Sequence, residues 1–212
     1  MANSINNNIE AFYRHLEAHR YDLALQLCDQ IVEPSPLILW WCSVCCFAQG
    51  EFDGALRHTL TLLDIDETHV RACLNMAIIR AASPDERLRD GKDASYFMTR
   101  FVALYDGQMT WRILSIRAAV YAEQNEFAKA IEYSQMSLDC APPTMTARCE
   151  SRLSQYKQQT PFRASAQSMR DGLVFRELDC KKCGGPAFFT VRYNDEAVAL
   201  CCDCNWGKPN NA

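Results

Sequence analysis

Cys180-Lys181-Lys182-Cys183 and Cys201-Cys202-Asp203-Cys204 are the residues of this chain best suited to chemistry. Each stretch holds two thiols with two residues between them. The gap between the pairs falls in the ~15–20-residue range over which two such pairs share one ion. A C-x-x-C turn points both sulfurs at one centre, while backbone N–H groups of the turn donate to the thiolates. Gly184 and Gly185 follow the first pair and supply the positive-φ positions that such a turn needs. The four histidines, His15, His19, His58 and His69, all lie far away in sequence. Four thiolates make a closed tetrahedral site with no position for water or substrate, which is structural rather than catalytic. Zinc suits that site, and iron accepts the same sulfur geometry. The expected cofactor is one structural Zn2+ held by Cys180, Cys183, Cys201 and Cys204. Cys202 is a fifth thiol. Pairing it with Cys204 leaves a single residue between ligands, a poor geometry for the same turn, so Cys201 is preferred.

The two pairs need an element that brings them together. Phe188 to Tyr193 is rich in aromatic and β-branched residues and reads as a strand, Asn194-Asp195 as a turn, and Ala197 to Leu200 as the returning strand. The pattern resembles a zinc ribbon, a β-hairpin module spanning residues 176–208. So small a module has too little apolar surface to hold itself, so the metal supplies the stability it lacks. Phe175, Phe189, Val191, Tyr193 and Trp206 are available to cover it.

Upstream, the chain repeats itself. Gln49-Gly50-Glu51-Phe52-Asp53-Gly54-Ala55-Leu56 returns as Gln124-Asn125-Glu126-Phe127-Ala128-Lys129-Ala130-Ile131, with a looser copy at Tyr21, Ala24 and Leu25. Each copy opens an amphipathic helix, as Phe52, Ala55, Leu56, Leu60 and Leu63 illustrate: their spacing lays one apolar stripe on one face. Each is preceded by another apolar helical run: Ile9 to Ala18, Leu37 to Ala48, and Ile113 to Ala122. The unit is therefore helix, turn, helix, with Gly50 and Asn125 where a left-handed backbone is cheapest. A third unit has Val70 to Ala82 as first helix. Ser83-Pro84-Asp85-Glu86-Arg87 reads as a helix start with Ser83 as N-cap, and a further helix runs from Asp90-Gly91 to about Leu104.

On these residues the chain resembles the tetratricopeptide (TPR) repeat family, in an irregular, bacterial-type array. Tyr121, Phe127, Ala130 and Pro142 fill the family pattern in the last unit, and Tyr21, Ala24 and Pro36 in the first. Glu67 stands where the middle unit's proline belongs. The alanines Ala24, Ala55, Ala94 and Ala130 recur at unequal intervals around the family's ~34 residues. The fold class expected is mainly α, a TPR-like solenoid of helical hairpins with a small zinc-ribbon module at its C-terminal side. The repeats span 5–160, and about eight or nine helices are expected there. Residues 144–159 serve as a capping helix with the stripe Met145, Cys149, Leu153 and Tyr156. Its basic residues Arg148, Arg152 and Lys157 read as a solvated face. Thr160-Pro161 ends it. Residues 161–175, which carry no apolar period, read as a linker.

The resemblance implies a non-catalytic interaction scaffold whose concave face is built by the first helix of each pair. That face carries Leu37, Trp40, Val44 and Phe47 in one unit and Arg112, Ser115, Ala119 and Ala122 in another. Chaperone-binding members read a terminal carboxylate with Lys and Asn at such positions. Trp40 and Val44 stand in their place here, so that activity is not carried over, and an apolar or helical peptide or protein segment is the expected partner. Trp40 and Trp41 could equally pack between helices. The alternative is a nucleic-acid-associated adaptor using the ribbon. Arg176, Lys181, Lys182, Arg192 and Lys208 are balanced by Glu177, Asp179, Asp195, Glu196 and Asp203. Four thiolates on a divalent ion add about −2 more, where phosphate binding wants a clear positive excess.

The composition bounds the rest. The 212 residues carry a net charge of −4, too mild to argue for nucleic acid or membrane. No apolar run is long enough to cross a bilayer, and the polar, Asn-rich start carries no export signal. A cytoplasmic protein is expected. Of the 12 cysteines, Cys28, Cys42, Cys45, Cys46, Cys73, Cys140 and Cys149 fall within helices and read as small packing residues. No Ser–His–Asp set, phosphate-binding glycine loop or open metal site is visible, and no enzyme is expected.

Overall fold

The computed structural model describes residues 8, 11–12, 14–16, 20–28, 30–31, 34–107 and 109–170, together with the backbone of three short strands at 178–179, 186–191 and 197–201. Up to residue 170 the described residues form helices and the turns between them, with no strand among them. Among the described residues, the helices of eight or more residues are α1 (Tyr21–Cys28), α2 (Pro36–Gln49), α3 (Phe52–Ile65), α4 (Val70–Ala82), α5 (Gly91–Leu104), α6 (Trp111–Glu123), α7 (Phe127–Asp139) and α8 (Thr146–Lys157). They pack as hairpins in series: α2 on α3, α4 on α5, α6 on α7, with α1 against α2 and α8 against α7. Within each hairpin the first helix is apolar nearly all round and the second is amphipathic. Every residue from Ile38 to Ala48 is buried, whereas α3 buries only Phe52, Gly54, Ala55, Thr59 and Leu62. The first helices therefore lie inside and the second ones outside.

Local chemistry sets the helix ends. The Ser35 hydroxyl accepts from Ile38 N–H at 3.4 Å, and Pro36, which has no N–H to leave unpaired, begins α2. Gly50 closes that helix at φ +81° and Asn125 closes α6 at φ +60°, as their residue types predict. The four repeat alanines, Ala24, Ala55, Ala94 and Ala130, are all fully buried. Their smallness lets partner helices approach. Gly54 does the same more extremely: a Cβ there would stand 2.9 Å from the Cys46 sulfur. Phe47 and Phe52 meet edge to face at 5.6 Å across the turn between α2 and α3, each burial contributing roughly 1.5–3 kcal/mol. The capping stripe Met145, Cys149, Leu153 and Tyr156 is buried throughout.

Four expectations need correction. Ser83 does not start a helix: it follows the last residue of α4, and its hydroxyl accepts from Asp85 N–H at 3.2 Å. Only one 3-10 turn, Glu86–Leu88, forms before α5, whose true cap is Asp90, accepting from Lys92 N–H and Asp93 N–H at 2.8 and 3.0 Å. Those two amides hold the Asp90 carboxyl below its ordinary range. Arg80 and Arg89 explain the shortened turn: they donate to Leu88 O at 3.1 Å and Ser83 O at 3.0 Å, holding the junction folded back on α4.

Second, Arg152 is not solvated but 4% exposed, because α8 turns it inward between Ser115 and Phe162. Third, Cys28 and Cys42 are not merely packed: α1 and α2 run side by side with these Cα atoms 6.3 Å apart, and the two sulfurs form a disulfide. Fourth, the described part of the 161–175 stretch, residues 161–170, is packed on the repeats, with Phe162, Ala164 and Met169 buried. Residues 171–175 lie outside the described residues.

The C-terminal strands are β1 (Leu178–Asp179), β2 (Pro186–Val191) and β3 (Ala197–Cys201), in order β1-β2-β3, antiparallel throughout. Leu178 pairs with Ala187 and Ala187 with Cys201. Among the described residues, no helix is long and apolar enough to cross a membrane.

Candidate functional site

Two sets of residues were expected to act, and the structure treats them differently. Of the four thiols, Cys180, Cys183 and Cys204 lie outside the described residues. Cys201 is the last residue of β3, with Ala187 of β2 opposite it. Among the described residues no group of three or more His, Cys, Asp or Glu is arranged to hold a metal ion.

The residues expected on the concave face all lie among the described residues. Leu37 is half-buried, and Trp40, Val44, Phe47, Arg112 and Ser115 are buried. Trp40 is 2% exposed, with its ring 4.4 Å from that of Trp41 and the Arg71 guanidinium 4.8 Å from its centroid. Arg71 belongs to α4, so this contact ties α4 to α2. Asn75 of α4 does likewise, donating from Nδ2 to the Ser43 hydroxyl at 2.9 Å. The first helices thus meet through a few buried polar and aromatic pairs, and α4 also packs directly on α6.

Ser115 is engaged from the other side. Arg152 Nη1 donates to its Oγ at 2.6 Å, and the same guanidinium lies 3.9 Å from the Phe162 ring centroid. Its Nε and Nη2 and the nearby Tyr156 hydroxyl are buried with no hydrogen-bond partner. Burial, the largest influence, pulls Arg152 down to about 10 and pushes Tyr156 up to about 12. Arg112 is buried beside Trp111, its guanidinium 5.2 Å from that ring. Burial also raises the Cys45 thiol well above its ordinary range, with Cys46 adding to it, so Cys45 stays neutral and unreactive.

Residues that the sequence reading passed over lie after Pro161. Arg163 Nη1 donates to Glu123 Oε2 at 2.6 Å and to Ala81 O at 3.2 Å. Ala164 N–H donates to Ala82 O at 2.7 Å. Ala166 sits over Gly50, where a Cβ would meet it at 3.3 Å. Arg170 Nη1 donates to Ala48 O at 2.6 Å. The segment therefore crosses the C-terminal ends of α6, α4 and α2 in turn, against the order of the chain. It carried a signal in two apolar–arginine pairs, Phe162-Arg163 and Met169-Arg170, but irregular chain anchored at uneven points shows no period. Compared with known proteins, the chain matches no family model and no curated protein.

Proposed function

We propose that this chain is a non-catalytic, TPR-type interaction scaffold. Its helical repeats take a peptide or protein partner, and a C-terminal zinc ribbon offers a second contact surface. The observation that carries this reading is the serial packing of α2–α3, α4–α5 and α6–α7, with one stretch of chain, residues 161–170, already seated across three successive units through side-chain and main-chain hydrogen bonds. A surface that binds extended chain from several repeats at once is what a peptide-binding solenoid needs.

The ribbon reading rests on the two C-x-x-C pairs and is supported by strand register. Leu178, Ala187 and Cys201 share one row of the sheet, so the stretch entering Cys180 and the strand ending at Cys201 meet at the same end. Cys180, Cys183, Cys201 and Cys204 would hold one Zn2+, whose role is to tie those ends together. To act as ligands these four thiols must stay reduced, unlike Cys28 and Cys42, which pair with each other.

The test is capture by the full chain, immobilised at one end, with and without a strong chelator. A partner recovered stoichiometrically in both conditions assigns recognition to the repeats. Recovery lost on chelation assigns it to the ribbon. No partner above a tag-only control in either condition overturns the scaffold reading.

A further inference from the structure

Residues 161–170 are held largely by the repeats. Residues 161–165 carry no regular secondary structure, and 166–170 make one short helical turn closed by reciprocal Ser165–Ser168 capping. The remaining anchors come from the repeats. Its apolar anchors are Phe162, Ala164 and Met169, the last fully buried. Its charged anchors, Arg163 and Arg170, reach main-chain carbonyls in the last turns of α4 and α2. Those carbonyls lack helical partners and sit at the negative end of the helix dipole, so an arginine is a matched donor for them. The Glu123 carboxylate in the last turn of α6 adds an acceptor to the same edge, shared with Arg89, whose Nε lies 3.3 Å from Oε1. Gly50 leaves the room that Ala166 fills. Taken together, the ends of three first helices form one carbonyl-rich, partly apolar edge, and the chain lies along it as a docked peptide would.

We propose that this edge is a recognition surface and that residues 161–170 are its resident ligand. The partner it fits is an extended basic segment with an aromatic–arginine pair, a small residue next to it, and a second apolar–arginine pair further on. Partner and resident segment compete for the same carbonyls and for Glu123, so the chain holds its own surface closed until the segment lifts. This deepens the scaffold reading and rests on it. It differs from the concave-face expectation in locating recognition at the helix ends, where last-turn carbonyls have no helical partner, rather than on Trp40 and Val44, which are buried.

The experiment uses the full chain and a fluorescent synthetic peptide copying residues 159–172. In the wild type, the tethered segment competes at an effective concentration on the order of millimolar, so micromolar peptide stays unbound. In a Phe162→Ala, Arg163→Ala, Met169→Ala variant the tethered copy is weakened. The wild-type peptide is then expected to bind saturably, at least ~10-fold tighter than to the wild-type chain. A peptide carrying the same three changes is expected not to bind. Equal binding to both chains, equal binding of a scrambled peptide, or no binding to a variant that keeps its helical circular dichroism overturns the inference. Loss of helicity in the variant also overturns it, since the segment is then part of the fold and not a ligand. The scaffold reading is tested separately, by partner capture on the wild-type full chain, so its failure and the failure of this inference are distinguishable.

Discussion

Arg163 Nη1 lies 2.6 Å from Glu123 Oε2, while Arg89 Nε approaches the other carboxylate oxygen, Oε1, at 3.3 Å. One carboxylate at the end of α6 thus receives the arginine that pins the 161–170 segment and the one that folds back the turn after α4. The two attachments share a node although they lie far apart in sequence. The Glu123 side chain is 14% exposed, so its charge is little screened, whereas Arg163 at 35% keeps part of its hydration.

Replacing Glu123 with Ala is therefore expected to lower stability in urea by about 1–2 kcal/mol, the modest size reflecting the partly hydrated arginine. It should also speed hydrogen exchange at the Ala164 amide, which bonds Ala82 O. Unchanged exchange at Ala164, with the same loss of stability, would show that Glu123 secures only the turn.

The Cys28–Cys42 disulfide closes a short loop, the two residues being 14 apart in sequence. In the chain-entropy account a loop of this size contributes about 3 kcal/mol by restricting the unfolded chain. Cys28→Ser should cost about that much under non-reducing conditions and close to nothing in excess reductant. Intact mass before and after reduction and alkylation reports whether the bond is present. A protein isolated with both thiols alkylatable would place α1 in the reduced state in its own compartment.

Tyr156 gives a pH signature. Burial raises its phenol to about 12, above the ordinary value of 10.0. Between those values the native state keeps a proton that the unfolded chain has released, so this group's contribution to stability falls as pH rises through the window. Arg152, held down to about 10, acts in the opposite sense over much the same range, which would mask the effect in a stability curve. Phenolate absorbance separates them: Tyr156 should titrate late in the native protein, alongside Tyr105, which burial also raises, and Tyr156→Phe should remove only the Tyr156 component. Tyrosines that all ionise near 10 in the folded chain would contradict the packing around α8.

For the proposed metal site, the purified chain is expected to carry one zinc. Cys204→Ser should abolish retention and Cys202→Ser should spare it. A chelator should leave most of the helical signal, since the repeats have their own stacked core. Zinc lost from the Cys202 variant but kept by a Cys201 variant would exchange the roles of the two neighbours. A disulfide joining the two pairs would remove the metal reading altogether.

What the sequence alone determined about this protein is what local periodicity and turn chemistry encode. Val70–Ala82 is legible to the residue, because an apolar run bounded by His69 and Ser83 leaves a helix little choice. Gly50 and Asn125 marked left-handed turns, since few residues tolerate that backbone. Buried Ala24, Ala55, Ala94 and Ala130 followed from one small residue recurring in each stripe. Tertiary structure decided everything that depends on which surfaces meet. Trp40 is as apolar in a groove as between helices, and only the approach of Arg71 from α4 assigns it. Arg152 resembles any solvated helical arginine until Ser115 and Phe162 close over it. Cys28 finds Cys42 because α1 lies against α2, a pairing that no thiol spacing specifies. The 161–170 segment is the clearest case. Its anchors bond to the carbonyls of Ala48, Ala81 and Ala82, backbone groups that every residue carries, so the sequence holds no trace of where they will be.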